Sequence, residues 1–220
     1  LGINYNPGIV TNGLVLCLDA GNPRSYPGTG TTWYDVSSDN TKGTVANGAS
    51  YNNGNLGAFV FDGIDDYVDC GNPISCQLST ALTLESWVNP TSTSGLGNII
   101  QKNLNNGYRC RIENGNLWAH SSGIAAVSSG SPCSNGAWWH CVATFGPAGI
   151  ACYVNGVSVA SNSNPYAPSN ATAGNVQLGC FTPGSETFNG KIAIAKIYNR
   201  VLSLIEIQQN FNATRGRYGI

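Results

Sequence analysis

Four carboxylates crowd one short stretch of the chain. Asp62, Asp65, Asp66 and Asp69 all fall within Phe59-Val-Phe-Asp-Gly-Ile-Asp-Asp-Tyr-Val-Asp-Cys70, out of 11 acidic residues in the whole sequence. A hard cation such as calcium takes about six to eight oxygen ligands, partly from turn carbonyls. Asp62, Asp65 and Asp66 therefore form the candidate metal site, with calcium as the ion they would suit. A plainer reading uses the same residues: Asp62 makes the turn, and Asp65 or Asp66 accepts loop amides. Asp-Gly favours a reversal, because glycine takes positive φ freely and Asp bonds its own backbone. The stretch thus reads as a strand, a tight reversal and a second strand.

Carbohydrate recognition is the other chemistry the residue types allow. Sugar faces stack on aromatic rings while amides and carboxylates bond the hydroxyls. Trp118, His120 and Trp138 are the candidate ligand contacts, because the faces they occupy are not fixed by a core pattern. Trp87 and Trp139 stand in core-like strands, whereas Tyr26, Trp33, Tyr34 and Tyr166 stand in loops. Catalysis finds little support. His140, between Trp139 and Cys141, reads as a packed structural histidine, and Glu85 has no carboxylate two or four residues away. A nucleophile elbow, a P-loop and His-Glu-x-x-His are all absent from the sequence. The chain reads as a non-enzyme.

The 8 cysteines lack a Cys-x-x-Cys pair, which argues against structural zinc. Cys17, Cys110, Cys141 and Cys152 lie in strand patterns and read as small core hydrophobes. If Phe145 faces Ile150, Cys141 and Cys152 become diagonal neighbours at roughly 7–8 Å. That exceeds the usual disulfide reach of about 4.4–6.8 Å. Cys70 and Cys76, flanking a short loop, are the best-placed pair for a bridge.

Elements that could position these groups are short strands. Asn-Gly, a strong hairpin signal, occurs 8 times, from Asn12 to Asn189. Between the turns lie strand-like runs at 14–18, 56–61, 65–70, 82–88, 98–102, 107–113, 115–120, 138–145, 149–155, 156–160, 175–180 and 190–198. Such spacing predicts an all-β sandwich or barrel. One helix interrupts it. Ser203 and Glu206 form a capping box, with Leu202 and Ile207 in the staple positions, so a helix should follow Ser203 and cover a sandwich end above Phe211. The stretch 19–55 reads as a long, polar, functional loop, and residues 1–12 as an N-terminal arm before a domain at 13–220.

A chain of 220 residues with 41% hydrophobic residues can bury one sizeable β-core. Its net charge of −1 speaks against a nucleic-acid groove. No apolar run approaches the ~18–20 residues of a membrane helix.

Seven motifs fall in a familiar order: Gly13-Leu-Val-Leu-Cys-Leu-Asp-Ala-Gly21, Thr32-Trp-Tyr-Asp35, Phe61-Asp-Gly-Ile-Asp-Asp-Tyr67, Thr83-Leu-Glu-Ser-Trp-Val88, Trp139-His-Cys-Val142, Tyr153-Val-Asn-Gly156, and Asn189-Gly-Lys-Ile-Ala193 with Tyr198-Asn-Arg-Val-Leu-Ser203. Together they resemble a laminin-G-like domain of the concanavalin A-like lectin/glucanase superfamily. The resemblance implies a jelly-roll sandwich of two antiparallel sheets. Glucanases of that superfamily carry a Glu-x-Asp-x-x-Glu strand, which this chain lacks. The opening Asn4-Tyr-Asn-Pro-Gly-Ile-Val-Thr-Asn-Gly-Leu14 and the ending from Gln208 are similar to versions in tailed-phage virion proteins. That narrower resemblance implies a non-catalytic decoration or tail-associated protein on a virion surface. Its partners would be other virion proteins or its own copies, and a host-surface glycan. The alternative is a secreted, extracellular carbohydrate-binding adhesin domain of a bacterium. Free thiols would fit the virion, and bridges the secreted domain.

Overall fold

The computed structural model describes residues 8–102, 106–130 and 132–220. Two antiparallel sheets face each other across the core, as the motif pattern predicts. The first sheet runs in the order β14 (Val157–Asn162), β13 (Gly149–Val154), β12 (Trp139–Gly146), β7 (Leu82–Ser92), β16 (Asn189–Tyr198), β5 (Ala58–Asp62) and β4 (Ser50–Asn52). β1 (Leu14–Asp19) also pairs with β16. The second sheet runs β11 (Ile124–Val127), β10 (Asn116–Ser121), β9 (Tyr108–Glu113), β8 (Leu96–Lys102), β15 (Val176–Leu178), β6 (Tyr67–Asp69), β3 (Lys42–Ala46) and β2 (Thr32–Tyr34). Successive side chains on a strand point to opposite faces. Leu16, Phe59, Leu84 and Phe145 from one sheet thereby meet Trp33, Val68, Ile100 and Ile112 from the other.

Two-residue turns fix the register of three hairpins. Asn114-Gly115 and Asn155-Gly156 both take positive φ at each residue and join Glu113 to Asn116 and Val154 to Val157. Ser122-Gly123 makes the same kind of turn between β10 and β11 without an asparagine.

Three expectations about the strands and the cysteines need correction. The stretch 59–70 is no hairpin. β5 pairs within the first sheet and β6 within the second, so the Asp-Gly reversal is a corner where the chain changes sheets. Phe61 and Val68 still point into one core because the corner folds both strand faces toward it. The stretch 19–55 is no long loop either, since β2, β3 and β4 lie within it. These strands are short and bury little apolar surface beyond Trp33 and Val45, so no hydrophobic run announced them. The third correction concerns cysteine. Cys70 and Cys76 are free buried thiols, like the other six. Cys141 and Cys152 are diagonal neighbours as expected, through the pairs Cys141 with Val154 and Ala143 with Cys152.

The helix α1 (Leu204–Thr214) starts at the predicted capping box. The Ser203 hydroxyl accepts from the Glu206 amide, and the Glu206 carboxylate accepts from the Ser203 amide. Leu202 and Ile207 are buried together in one small cluster. The helix covers the back of the first sheet rather than a sandwich end. Phe211 stacks on Trp87 at 5.9 Å, and Tyr218 of the following turn Arg215–Tyr218 stacks on the same ring at 4.1 Å. The described part of the expected arm packs here too: the Val10 amide donates to Asn210 Oδ1 and the Tyr198 hydroxyl to the Val10 carbonyl. Residues 1–7 lie outside the described residues. Among the described residues, no helix is long and apolar enough to cross a membrane.

Candidate functional site

With one sheet backed by the helix, the outer face of the second sheet carries the polar side chains, and its middle is covered, with Gln101 and Arg109 buried. The pairing registers line up one row across it: Ala125, His120, Arg109, Gln101, Gln177, Asp69, Thr44 and Thr32. At about 4.8 Å per strand the row is on the order of 30 Å long. Two of its members bond to one another directly: the Gln101 amide donates to Gln177 Oε1 at 2.7 Å.

One end of this face opens into a groove of about 650 Å³, lined by Asn40, Lys42, Thr44, Tyr67 and Asp69, among others. Asp69 is held in place there. Its carboxylate accepts from the Gly71 amide at 2.8 Å and, through both oxygens, from Asn175 at 3.0 Å. Tyr67 is half-buried beside it, and Lys42 and Thr44 are exposed. An aromatic ring, a fixed acceptor and an exposed ammonium within one shallow groove suit polyhydroxylated ligands. In a cleft of about 720 Å³ near the C-terminus, Arg217 already pairs with Asp19 at 2.6 Å.

The other end holds two of the three expected contacts. Trp118 and His120 project from β10 onto the same face, opposite Arg111 and Arg109 of β9. The Arg111 guanidinium lies 4.7 Å from the Trp118 ring centre. Burial, then Arg109 and Arg111, lower the His120 pKa to about 4, so its ring is neutral near pH 7. Trp138 is elsewhere. It is 8% exposed on the back of the first sheet, packs on Tyr218 at 4.6 Å and donates to Asn55 Oδ1. Sequence pattern alone could not tell that residues of the C-terminal turn would cover it. The polar alternation of Arg109, Arg111 and Glu113 was the legible signal for the residues missed here.

Asp62, Asp65 and Asp66 do converge, with one carboxylate oxygen from each lying within 4.8 Å of the others. Two of the three build the corner. Asp62 Oδ1 accepts from the Ile64 amide and Asp66 Oδ2 from the Asp62 amide. Asp66 is 4% exposed, and its Oδ1 has no hydrogen-bond partner among the described residues. Burial raises its pKa despite the Asp62 amide bond, and the charges of Asp62 and Asp65 add to the rise.

The sequence profile described as the concanavalin A-like lectin/glucanase superfamily (laminin-G type) matches residues 62–208. The chain belongs to that superfamily. Solved structures agree on the fold. The binding domain of botulinum neurotoxin serotype D is 15% identical, with a TM-score of 0.72 over 92% of this chain and 52% of the toxin chain. A Trypanosoma rangeli sialidase in complex with sialic acid is 18% identical, with a TM-score of 0.71 over 96% of this chain and 34% of the enzyme. Domain 4 of an extracellular arabinanase from Geobacillus stearothermophilus, in complex with arabinotriose, is 16% identical, with a TM-score of 0.71 over 91% of this chain and 99% of that domain. This chain thus spans about half of the toxin chain and a third of the sialidase, but nearly all of the arabinanase domain. No curated protein matches the sequence.

Proposed function

We propose that the outer face of the second sheet binds an oligosaccharide without cleaving it, with the Tyr67–Asp69 groove at one end and Trp118 and His120 at the other. The observation that carries this reading is the polar row that crosses seven of the eight strands of that sheet, from β10 to β2, and runs into an open groove. Solved structures of similar fold, in complex with sialic acid or arabinotriose, support it. The test is calorimetric titration with a panel of neutral oligosaccharides that includes arabinotriose. Tyr67→Ala and Asp69→Asn should each weaken binding roughly tenfold, about 1.4 kcal/mol, in protein that melts as a single folded species. Wild-type protein that binds none of the panel would sink the proposal.

The setting we favour is a virion surface, where the domain decorates a capsid or tail and touches a host glycan. The opening and closing motifs support it. So do eight unbridged thiols, the state expected of a particle assembled in a reducing cytosol. A secreted bacterial adhesin domain is the alternative setting.

A second reading, a structural calcium ion at the 62–66 corner, is favoured by the orphaned Asp66 Oδ1. A buried carboxylate oxygen facing two further acids lacks a counter-charge that a cation would supply. Millimolar calcium should then raise the melting temperature by several degrees, and Asp65→Asn should abolish the rise. Identical melting curves in calcium and in chelator would leave the acids as corner-builders only.

A further inference from the structure

Arg109 and Arg111 project side by side from β9 onto the proposed glycan face, yet they are 5% and 7% exposed. What covers them is the turn that carries Phe181 and Glu186. The Arg109 guanidinium sits 4.9 Å from the Phe181 ring centre, and Arg111 sits against Trp118. One oxygen, Glu186 Oε2, receives Nη1 of Arg109 at 3.2 Å, Nη1 of Arg111 at 3.3 Å and Nδ2 of Asn98 at 2.8 Å. Arg111 also pairs with Glu113 at 2.7 Å. Even so, the Nε of each arginine and Nδ1 of His120 are buried without a hydrogen-bond partner among the described residues. A guanidinium offers a planar fork that matches a carboxylate in bidentate geometry. Here a single oxygen is shared between two forks, so the cationic pair is only partly engaged. Glu186 reaches the site with its own backbone at φ +46°, in the left-handed region that a residue with a side chain adopts at a cost.

We infer that Glu186 stands in for the carboxylate of an acidic sugar, and that the 181–187 turn withdraws when such a ligand takes its place on Arg109 and Arg111. The exchange replaces one carboxylate by another, so the charge of the site is unchanged. It frees Glu186 from its left-handed backbone, and it brings the sugar ring beside Trp118. The inference deepens the oligosaccharide reading and rests on it, adding the class of ligand that this end of the face takes.

Glucuronate and its neutral counterpart glucose are the probes. They are titrated into wild-type protein, Glu186→Gly and Glu186→Gln, and read by the NMR signals of the Arg109 and Arg111 Nε–H groups and by Trp118 fluorescence. Glycine tolerates the positive φ, while glutamine keeps the volume and the Asn98 bond. Both variants should bind glucuronate at least tenfold more tightly than wild type, with glucose unchanged. Adding Arg111→Gln should erase the gain. Folded Glu186 variants with no gain for glucuronate over glucose would overturn the inference, as would acetate binding as tightly as glucuronate. If neither variant folds, wild type decides with an acidic oligosaccharide, trigalacturonate: unmoved Arg Nε–H signals at millimolar ligand overturn the inference. Neutral oligosaccharide binding at the Tyr67–Asp69 groove is scored separately. It can persist when the glucuronate result is negative, so failure of the inference alone is distinguishable from failure of the oligosaccharide reading.

Discussion

Replacing Glu85 by alanine should destabilise the protein by about 3–5 kcal/mol, the cost of leaving a buried charge without its partner. Glu85 is 1% exposed, yet it is the hub of the layer between the first sheet and the helix. Its Oε1 lies 2.8 Å from Lys196 Nζ, directly across the β7–β16 pairing, and its Oε2 accepts from Asn210 of α1 at 2.6 Å. Asn210 in turn holds the Val10 amide and the Tyr198 hydroxyl. His140 Nε2 comes within 3.2 Å of the same carboxylate, though without the alignment of a hydrogen bond. One acid thus ties together the sheet, the helix and the N-terminal segment. Urea unfolding at pH 7 would measure the loss. A double replacement, Glu85→Leu with Lys196→Met, should recover most of it, because an apolar pair carries no desolvation penalty. A single-variant loss under 1 kcal/mol would show that the network is incidental.

The same residue predicts an acid limit. Burial alone would raise the Glu85 pKa, but Lys196 and then His140 overcome burial and hold it at about 2. A carboxylate lowered on folding contributes stability that is complete above its unfolded value, near 4.5, and disappears as pH falls through about 2. Wild-type stability should therefore drop steeply across that window, and the Glu85 variants should lack that component of the slope.

Trp87→Ala should cost a further ~3–5 kcal/mol, the range for emptying a large aromatic site that cannot collapse. The ring is fully buried between Tyr218, Phe211 and His140, and its indole N–H donates to Thr214 Oγ1 at 2.8 Å. Four of the groups it touches or bonds come from two separate chain segments, so a cavity there loosens the whole cover. Trp87→Phe keeps a ring and forfeits the Thr214 bond, and should lose only ~1 kcal/mol. Thermal melting and near-ultraviolet dichroism report both. If alanine leaves the near-ultraviolet signal and the melt unchanged, the helix is not anchored by this residue.

Much of this architecture was legible because strands and capped helices are local events. Alternating apolar residues, Asn-Gly turns and the Ser203–Glu206 box each act within a few residues. They mark β1, β7, β12, β16 and α1 without reference to the rest of the chain. The short strands β2, β3 and β4 lack a legible local signal because each contributes one or two apolar side chains, and pairing, of β2 with β3, β3 with β6 and β4 with β5, is what makes them strands.

The candidate site was legible only in part, for the same reason. Trp118 and His120 lie on a polar strand face that alternation can suggest, but which polar residues of other strands join them depends on register. Gln101, Gln177 and Asp69 become neighbours through pairings between segments tens of residues apart. Trp138 turned inward because Tyr218, eighty residues later, lies across it.

By itself the sequence determined a two-sheet sandwich, a capped C-terminal helix and a cluster of acids at an Asp-Gly turn. Tertiary structure alone decided that this turn is a corner between sheets, that one sheet is covered while the other keeps a polar outer face, and that Glu186 meets two arginines there. Local preference depends on neighbours in the chain, whereas burial and charge pairing depend on neighbours in space.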